Sequence, residues 1–258
     1  MNERTIYSAC PLCENPEIAN LCVGDCSKHP LYKPTLSPQI HWKQCRNCKH
    51  VFTSGYFTEA ACRLLFSATN ASQAVGYELE AQRLISARMI EKVLPFASMG
   101  AWLDVGFGNG SLLFTAQEFG FIPVGIDLRS ENVRIMSSLG ITSQCIELGQ
   151  LRLAEPCAVI SMADVLEHMP YPKEWLRQAY GLLQERGVLF VSMPNSESVL
   201  WTAMNQSNAN PYWGEIEHYH NFGRTRLYAL LEEAGFEPVR YGISERYRAC
   251  MEVIARKR

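Results

Sequence analysis

A glycine-rich segment at residues 102–113, WLDVGFGNGSLL, sets the strongest limit on how this chain can fold. An apolar stretch leads into Gly106, Gly108 and Gly110, and a helix-like stretch follows them. Glycine adopts the positive backbone angles of tight turns, and a turn that opens a helix directs backbone N–H groups at a ligand. The segment therefore predicts a strand, a ligand-binding turn and a helix in direct succession.

Downstream of this turn, apolar strands alternate with helices. Near-continuous apolar strands are typical of a parallel sheet that is covered on both faces. The last strand follows the sixth after a short turn, which favours antiparallel pairing. We therefore predict an α/β, Rossmann-like fold with a seven-stranded sheet. The predicted strands are AWLDVG, IPVGID, ITSQCIE, CAVISMAD, VLFVSMP, EPVRYGI and ACMEVIARK, and the predicted helices span 75–94, 111–120, 130–140, 171–187 and 224–235.

Single residues predict where several of these helices begin and end. Pro95 is expected to stop the first helix, because proline cannot continue the helical hydrogen bonding. Ser130 is predicted as an N-cap and Gly140 as the residue after a C-cap. Gly187 is predicted to end the helix over 171–187.

Charge and composition narrow the class of protein. The 258 residues carry a formal net charge of −2 and are 47% hydrophobic, which is typical of a globular protein. Such a charge predicts neither a nucleic-acid partner nor an anionic membrane partner. No apolar run has the length of a membrane span, and the N-terminal MNERTIYSACPLC has no apolar signal-peptide core. These features predict a cytoplasmic protein.

Two cysteine pairs near the N-terminus predict a metal site. Cys10 and Cys13 form one C-x2-C pair, and Cys45 and Cys48 form the other. Two such knuckles supply the four thiolates of a structural zinc site, which leaves no position open for catalysis. The alternative ligands are Cys22, Cys26, His29, His41 and His50. We therefore predict a zinc ribbon over residues 1–58, followed by a larger domain over residues 59–258.

The charges around the glycine turn help to identify its ligand. A dinucleotide fingerprint needs a glycine where this chain has Ser111, and Asp104 would repel a pyrophosphate. A ligand that carries an ammonium and a sulfonium would instead be attracted by Asp104. Asp127, at the end of the second strand, is spaced to bind ribose hydroxyls in either class of ligand.

The motifs LDVGFGNG and GID resemble those of class I S-adenosylmethionine (SAM)-dependent methyltransferases. Further motifs resemble the ubiquinone-biosynthesis-like branch, called type 11, in the same order: AVISMADVLEHMPYP, GVLFVSMPNSES and EHYHNFGRTRLYALLEEAGF. The resemblance covers residues 75–258 and implies a Rossmann-like class I methyltransferase sheet. It also implies a SAM cofactor and a small-molecule acceptor.

The resemblance implies a role for individual residues. Asp104, Gly106, Gly108 and Gly110 would hold the methionyl half of SAM. Asp127 would bind the ribose hydroxyls, and Leu128 would lie against the adenine. Met162 and Ala163 would line the reactive end of the cofactor. Glu147 stands near the place where the family usually has an acidic residue beside the adenine amino group.

The zinc ribbon followed by HVFTSGYFTE resembles the N-terminal module of some sugar C-methyltransferases. In those enzymes the module helps to form the substrate site, but their additional C-terminal domain has no counterpart in this sequence. A sugar is therefore the first expected acceptor, and a quinone-like or natural-product intermediate is the second.

Two polar clusters are candidates for the acceptor side of the reaction. Methyl transfer is an in-line displacement that needs a base only if the acceptor must lose a proton. Glu167 and His168 follow the fourth strand, and His218 lies in EHYHNF. We predict His168 and His218, with Glu167, as the catalytic group. The alternative is that these histidines only anchor loops by hydrogen bonds, and His220 is expected to pack with Phe222.

An insertion at about 195–221 is polar and irregular but contains Trp201, Tyr212 and Trp213. A long insertion beside an active site often acts as a lid, which would contribute to acceptor binding. Exposed aromatic residues are also typical of interfaces, so a homodimer contact is the alternative. The rival function for the whole chain is a zinc-ribbon adaptor whose methyltransferase fold no longer catalyses the reaction.

Overall fold

The computed structural model describes residues 3–65, 71–247 and 249–258. The chain divides into two compact units. Unit 1 comprises Met1–Ala68, Leu166–Pro172 and Pro194–Leu230, and unit 2 comprises Thr69–Val165, Lys173–Met193 and Leu231–Arg258. The predicted ribbon and the whole of the 195–221 insertion therefore lie in the same unit.

The regular elements follow one another in chain order. The strands are β1 (Arg4–Ile6), β2 (Ile18–Asp25), β3 (Gln39–Cys45), β4 (Val51–Thr53), β5 (Gly55–Phe57), β6 (Ala101–Val105), β7 (Ile122–Ile126), β8 (Thr142–Gln144), β9 (Cys157–Ala163), β10 (Leu183–Pro194), β11 (His220–Asn221), β12 (Phe236–Ile243) and β13 (Cys250–Lys257). The helices are α1 (Glu59–Leu65), α2 (Leu79–Val93), α3 (Ser111–Glu118), α4 (Ser130–Ser138), α5 (Pro172–Leu182), α6 (Val199–Gln206) and α7 (Arg224–Glu233). Short 3-10 helices span Ala71–Gln73, Leu148–Gln150, Leu166–His168 and Pro211–Gly214.

Unit 2 contains the predicted seven-stranded sheet. The strand order is β12-β13-β10-β9-β6-β7-β8. The pairs β6–β7, β6–β9, β7–β8 and β9–β10 are parallel, whereas β12 and β13 pair antiparallel. The predicted fold class and the antiparallel last strand are thus confirmed. In this order β6, which leads into the glycine turn, lies next to β9, which ends at Ala163.

Burial explains why these strands read as apolar runs. Every residue of β9 is buried, as are four of the five residues of β6. The core between the sheet and helices α2 and α3 includes Met89, Val93, Trp102, Leu112, Val159 and Phe190. This core fixes the carboxyl ends of the strands, where the glycine turn begins.

Two predicted helix boundaries are wrong. Ser130 is the first residue of α4, and Arg129, with an extended backbone, is its N-cap. The helix predicted over 171–187 ends at Leu182, because Leu183 already pairs with Cys157 in the sheet. By contrast, Gly140 has the positive φ of 81° expected after a C-cap, and α2 ends before Pro95.

Unit 1 has its own sheet and core. Strands β11, β4, β3 and β2 form a four-stranded sheet in that order, and β1 pairs antiparallel with β5. The core includes Ile40, Trp42, Phe57, Leu65, Ile216 and Tyr219, so the insertion supplies part of the apolar interior. None of the helices in the described ranges has the length and apolar character that crossing a membrane requires.

Candidate functional site

The glycine turn connects β6 with α3. Gly106, Gly108 and Gly110 have positive φ angles of 68°, 55° and 79°. The N–H group of Gly106 donates to the carbonyl of Ile126 at the end of β7, at 2.8 Å. A Cβ atom at Gly110 would lie 2.7 Å from Met136 Sδ, so a side chain is excluded there by space as well as by backbone angle.

Asp104 is buried just before this turn and is held by a hydrogen-bond chain. The indole N–H of Trp102 donates to Ser161 Oγ at 2.8 Å, and the Ser161 hydroxyl donates to Asp104 Oδ1 at 2.6 Å. Burial raises the pKa of Asp104 to about 6, although the Ser161 hydrogen bond and the charge of Arg246 act in the opposite direction. The carboxyl group is therefore poised to pair with a cation.

Asp127 holds the other side of the turn. It is 3% exposed, and its Oδ2 accepts the backbone N–H of Gly108 at 3.0 Å. Its Oδ1 accepts the N–H of Arg129 at 2.8 Å. The structure thus brings two buried carboxylates to one glycine turn, as the spacing predicted.

Sequence reasoning missed the segment that packs over the turn. A Cβ atom on Gly108 would lie 2.6 Å from the side-chain oxygen of Gln73. The Asn132 amide donates to the carbonyl of Gln73 at 2.8 Å and to that of Gly108 at 3.0 Å. No sequence signal identifies Gln73, because it precedes the alternating strand and helix pattern and belongs to no motif.

A second group that was missed lies at the end of β9. Asp164 has a positive φ of 59°, which is strained for a residue with a side chain. Its Oδ1 accepts the Ser192 hydroxyl at 3.1 Å, and the Arg246 guanidinium lies 3.7 Å from its Oδ2. Asp164 is the first residue of the DVLEH motif, which was the available signal, whereas nothing in the sequence singled out Arg246.

The remaining predicted cofactor residues differ in exposure. Leu128 is 67% exposed, as a side chain that packs on a bound base can be. Met162 is fully buried within β9, and Ala163 is 8% exposed at the end of the strand. Glu147 precedes a 3-10 helix, where its N–H donates to the Gln150 side chain at 3.2 Å.

The four predicted zinc ligands lie together in unit 1. The sulfur atoms of Cys10, Cys13, Cys45 and Cys48 are all within 4.8 Å of one another. Cys10 Sγ lies 3.6 Å from Cys48 Sγ, and Cys13 Sγ lies 3.6 Å from Cys45 Sγ. A disulfide needs about 2.05 Å. A tetrahedron of zinc–sulfur bonds of about 2.3 Å places its sulfur atoms about 3.8 Å apart, which these separations fit.

The two knuckles repeat the same backbone geometry. The residue four positions after each first cysteine, Glu14 or Lys49, has a positive φ near 60° and donates its N–H to that cysteine's carbonyl. The sulfur–sulfur contact with Cys48 raises the pKa of Cys10, and burial raises that of Cys45, while backbone N–H groups that point at both sulfur atoms act in the opposite direction. These N–H groups stabilise thiolates, which are the form that binds metal.

Glu167, His168 and His218 also lie together in unit 1. One ligand atom from each lies within 4.8 Å of the others. The ring of His168 meets that of His218 edge to face, with centroids 4.8 Å apart. The structure therefore brings together the three residues that were predicted as the catalytic group.

Backbone contacts hold the two segments of this group in place. His168 Nδ1 donates to the carbonyl of Glu217 at 3.0 Å, and the N–H of Tyr219 donates to the carbonyl of Glu167 at 2.8 Å. His220 Nε2 donates to the carbonyl of Met169 at 2.8 Å. Because a carbonyl only accepts, these bonds fix the protonated nitrogen of His168 and of His220.

His218 is surrounded by aromatic and imidazole rings. Burial, followed by the effect of neighbouring His168, holds the pKa of His218 well below its usual value. Tyr212 stacks on His218 at a centroid distance of 6.3 Å and on Trp201 at 5.2 Å. The aromatic residues of the insertion therefore orient His218, an arrangement that sequence reasoning had not predicted.

His220 contacts Phe222 at a ring separation of 5.8 Å, which agrees with the predicted packing. It also accepts a hydrogen bond from His50, with 3.0 Å between His50 Nε2 and His220 Nδ1. Both imidazoles are buried, and burial lowers the pKa of His220 to about 4. His50, one of the alternative metal ligands, is therefore part of this buried network.

Comparison with protein families gives a match to one model, described as a methyltransferase domain, over residues 77–241. Among curated proteins, the chain is similar to the ubiquinone biosynthesis O-methyltransferases of Haemophilus ducreyi and Idiomarina loihiensis. The first is 34% identical over 105 residues, or 36% of this chain and 44% of the relative. The second is 30% identical over 107 residues, or 38% and 44%. The match thus spans less than half the length of these relatives.

Two solved structures share the fold. One is the 1,6-didemethyltoxoflavin-N1-methyltransferase of Burkholderia thailandensis, with a TM-score of 0.58 and 18% identity over 83% of this chain and 98% of that one. The other is the magnesium protoporphyrin IX methyltransferase of Synechocystis, with a TM-score of 0.54 and 18% identity over 69% of this chain and 84% of that one. At this level of identity the likeness concerns the fold of the sheet and its helices.

Proposed function

The chain belongs to the methyltransferase-domain family that matches residues 77–241, and from this premise we propose that it is a SAM-dependent methyltransferase of a small molecule. The observation that carries the proposal is the glycine turn with a buried carboxylate on either side, Asp104 and Asp127. Backbone N–H groups and two carboxylates suit a ligand that combines a cationic amino-acid end with a ribose.

The residues of the turn suit the chemical groups of SAM. SAM supplies a methyl group bound to a positively charged sulfur. Asp104 pairs with the ligand's ammonium group, and its charge favours the nearby sulfonium. Asp127 accepts hydrogen bonds from the ribose hydroxyls, while the glycines let the backbone approach the methionyl part. Leu128, Met162 and Ala163 are assigned to the adenine and to the reactive end, as the family resemblance implies.

We propose that the histidine cluster of Glu167, His168 and His218 takes the proton that the acceptor loses. In the neutral tautomer of His168 that donates from Nδ1 to the carbonyl of Glu217, Nε2 carries the lone pair. The lowered pKa of His218 leaves its imidazole neutral at neutral pH. The lowered pKa makes His218 a weaker base than a free imidazole, so we assign the acceptor's proton to Nε2 of His168, and Glu167 would stabilise the imidazolium that forms. The alternative, loop anchoring alone, is supported by the same hydrogen bonds, and the kinetics of a His168 variant separate the two roles.

The names of the curated relatives and the histidines of the cluster together suggest a class of acceptor. The curated relatives are O-methyltransferases of ubiquinone biosynthesis, which favours a quinone-like acceptor with an ionisable hydroxyl over the sugar expected first. A phenolic hydroxyl loses its proton more readily than a sugar hydroxyl, so a neutral imidazole is a sufficient base for it.

We propose that Cys10, Cys13, Cys45 and Cys48 hold a structural zinc ion. The support is the sulfur spacing and the repeated knuckle geometry in unit 1. Four thiolates complete a tetrahedral site, so this zinc would stabilise the fold of the module and would not activate a substrate.

Calorimetric titration with S-adenosylhomocysteine (SAH), SAM and NAD tests the cofactor assignment, with the zinc content measured on the same sample. We expect micromolar binding of the two sulfur compounds and none of NAD. A second step incubates the protein with methyl-labelled SAM and a panel of phenols, catechols and sugars, followed by mass spectrometry of the product.

Each result has a distinct meaning. Labelled methyl on a phenolic oxygen supports the proposal, and His168→Gln should then lower kcat with unchanged SAH affinity. A loop-anchoring histidine would leave kcat near its normal value once the variant is folded. If zinc-replete protein binds neither SAM nor SAH, the enzyme proposal fails and the adaptor function is favoured.

A further inference from the structure

We propose that Glu167, His168 and His218 form a binding site for a divalent transition-metal ion, separate from the four-cysteine site. This proposal rests on the proposed function for the role of the cluster and assigns it a ligand. Lone pairs that bind an ion cannot also take a proton, so with the ion bound it would be the ion that favours loss of the acceptor's proton. A carboxylate and two imidazoles are the donor set that proteins use for iron, manganese, cobalt and zinc when positions must stay open for other ligands.

The first support is the convergence of the three donor groups. One ligand atom from each residue lies within 4.8 Å of the others. Bonds of about 2.1 Å to an ion require neighbouring donor atoms about 3.0–3.4 Å apart, so small side-chain rotations bring the set to bonding distance. The two rings meet edge to face, with an interplanar angle of 81°.

The second support is the hydrogen bonding of His168. A metal-binding histidine almost always donates its other ring N–H to a carboxylate or a backbone carbonyl, which fixes the tautomer and the ring plane. His168 Nδ1 makes this bond to the carbonyl of Glu217 at 3.0 Å. Its Nε2 lone pair is thereby left available for an ion.

The third support is an unused nitrogen on a buried ring. His218 is 7% exposed, and its Nδ1 is buried and makes no hydrogen bond. A buried polar atom without a partner destabilises the folded state, and such atoms call for a specific explanation. If Nδ1 is the atom that binds the ion, the ion supplies the partner that this nitrogen lacks.

Charge and access favour a cation at this position. Glu167 is 1% exposed, and a buried carboxylate is stabilised when a positive ion lies beside it. His168 is only half-buried, so the ion can reach the cluster from solvent. Three protein ligands leave coordination positions for water or for an oxygen of an acceptor, and the ion would favour acceptors that offer such an oxygen.

A second cluster in unit 1, formed by His29, Glu215 and Glu217, offers no imidazole nitrogen that is available for an ion. His29 Nδ1 accepts the N–H of Leu31 at 3.2 Å, and its Nε2 pairs with Glu215. Both nitrogens are thus already used. His29 therefore serves as an internal comparison for the proposed site.

The test uses the full chain with one equivalent of zinc, titrated with Mn2+ and, separately, with Co2+. Electron paramagnetic resonance counts the free Mn2+, and its pulsed form detects nitrogen nuclei bound to the ion. We expect one additional ion with two histidine nitrogens. His218→Gln and Glu167→Gln should each weaken Mn2+ binding by about 100-fold, because losing a ligand costs at least as much as losing a residue that supports one.

Two controls separate the site from a general effect of histidine loss. His41→Gln changes an exposed histidine of β3, and His29→Gln changes the second cluster, and both should bind Mn2+ as the unchanged protein does. Zinc content and circular dichroism verify that each variant is folded. SAH titration of the same samples reports on the proposed function independently of the metal.

The proposal is overturned if the zinc-replete protein binds no further Mn2+ or Co2+. It is equally overturned if His218→Gln and Glu167→Gln, both folded, keep full affinity, or if His29→Gln alone removes the ion. A nitrogen count of two that falls to one in His218→Gln supports it.

Discussion

At the scale of single residues, two buried carboxylates decide which ligand the glycine turn can accept. Asp104 is the more informative of the two because burial raises its pKa and so disfavours its charged form. A carboxylate desolvated in this way pairs with a cation more strongly than one in water does. The same residue that opposes a pyrophosphate therefore favours an ammonium group.

The raised pKa of Asp104 predicts a pH dependence of cofactor binding. The group is largely protonated at pH 5 and ionised above its pKa of about 6, so SAH affinity should rise with pH through this range. The folding stability of the ligand-free protein depends on pH in the opposite direction. A carboxyl whose pKa is raised on folding stabilises the folded state at low pH, and this contribution is lost as pH rises through 6. Asp127, Ser161 and Arg246 are the groups that act on it.

Calorimetry at a series of pH values measures this dependence. Ser161→Ala removes the hydrogen bond that lowers the pKa of Asp104, so the midpoint should move to higher pH. Asp104→Asn should bind weakly at all pH values and lose the dependence. An Asp104→Asn variant that retains the unchanged pH profile would assign the titration to another group.

Gly108 and Gly120 form a matched pair for testing the turn. Both have positive φ, of 55° and 88°, so alanine costs about 1 kcal/mol of backbone strain at either position. A Cβ on Gly108 would meet Gln73, whereas one on Gly120 has no atom within 4 Å. Gly108→Ala should therefore lower SAH affinity by about tenfold or more, and Gly120→Ala should lower only the melting temperature. Equal affinity in the two variants would contradict the assigned site.

At the scale of elements, the cysteine knuckles act as turns that a metal closes. Each knuckle has few apolar residues of its own, and its backbone N–H groups point at the cysteine sulfur atoms. Cys10→Ser should lower the zinc content from one equivalent towards zero and destabilise unit 1 by several kcal/mol, of the order that structural zinc contributes to folding. Cys22→Ser changes a half-buried cysteine outside the knuckles and is the control. Full zinc occupancy in Cys10→Ser would refute the assigned ligand set.

At the scale of the whole molecule, ligand binding should appear as thermal stabilisation. A ligand that binds only the folded state adds about 2.7 kcal/mol at a concentration of 100 times its Kd. For a chain of this size that corresponds to a rise in melting temperature of about 5–10 °C. SAM and SAH should produce this rise, NAD should not, and Asp127→Ala should abolish it. A comparable rise with NAD would count against the SAM assignment.

The homodimer through the 195–221 insertion stays a prediction. Trp201 is 3% exposed and Tyr212 stacks on it, so part of the aromatic surface that suggested an interface packs within the chain. Sedimentation of the purified protein measures the state directly.

Local sequence determined the features whose physical cause is local. The sheet could be predicted because buried parallel strands must be continuously apolar, and the glycine turn because only glycine tolerates three positive φ angles in five residues. The knuckles could be predicted because cysteine spacing encodes their turn. Asp104 and Asp127 followed from their distance to the turn along the chain.

Only the tertiary structure decided the features that depend on distant neighbours. Leu183 continues a helical pattern in sequence, yet it forms a strand pair with Cys157 because the ladder of β9 outweighs its local preference. Gln73 and Arg246 gain their positions through contacts with residues 35 or more positions away, and no local pattern encodes such contacts. The meeting of Glu167 and His168 with His218 has the same cause. Hydrogen bonds across some 50 residues of chain hold them together, and these form only once unit 1 has folded.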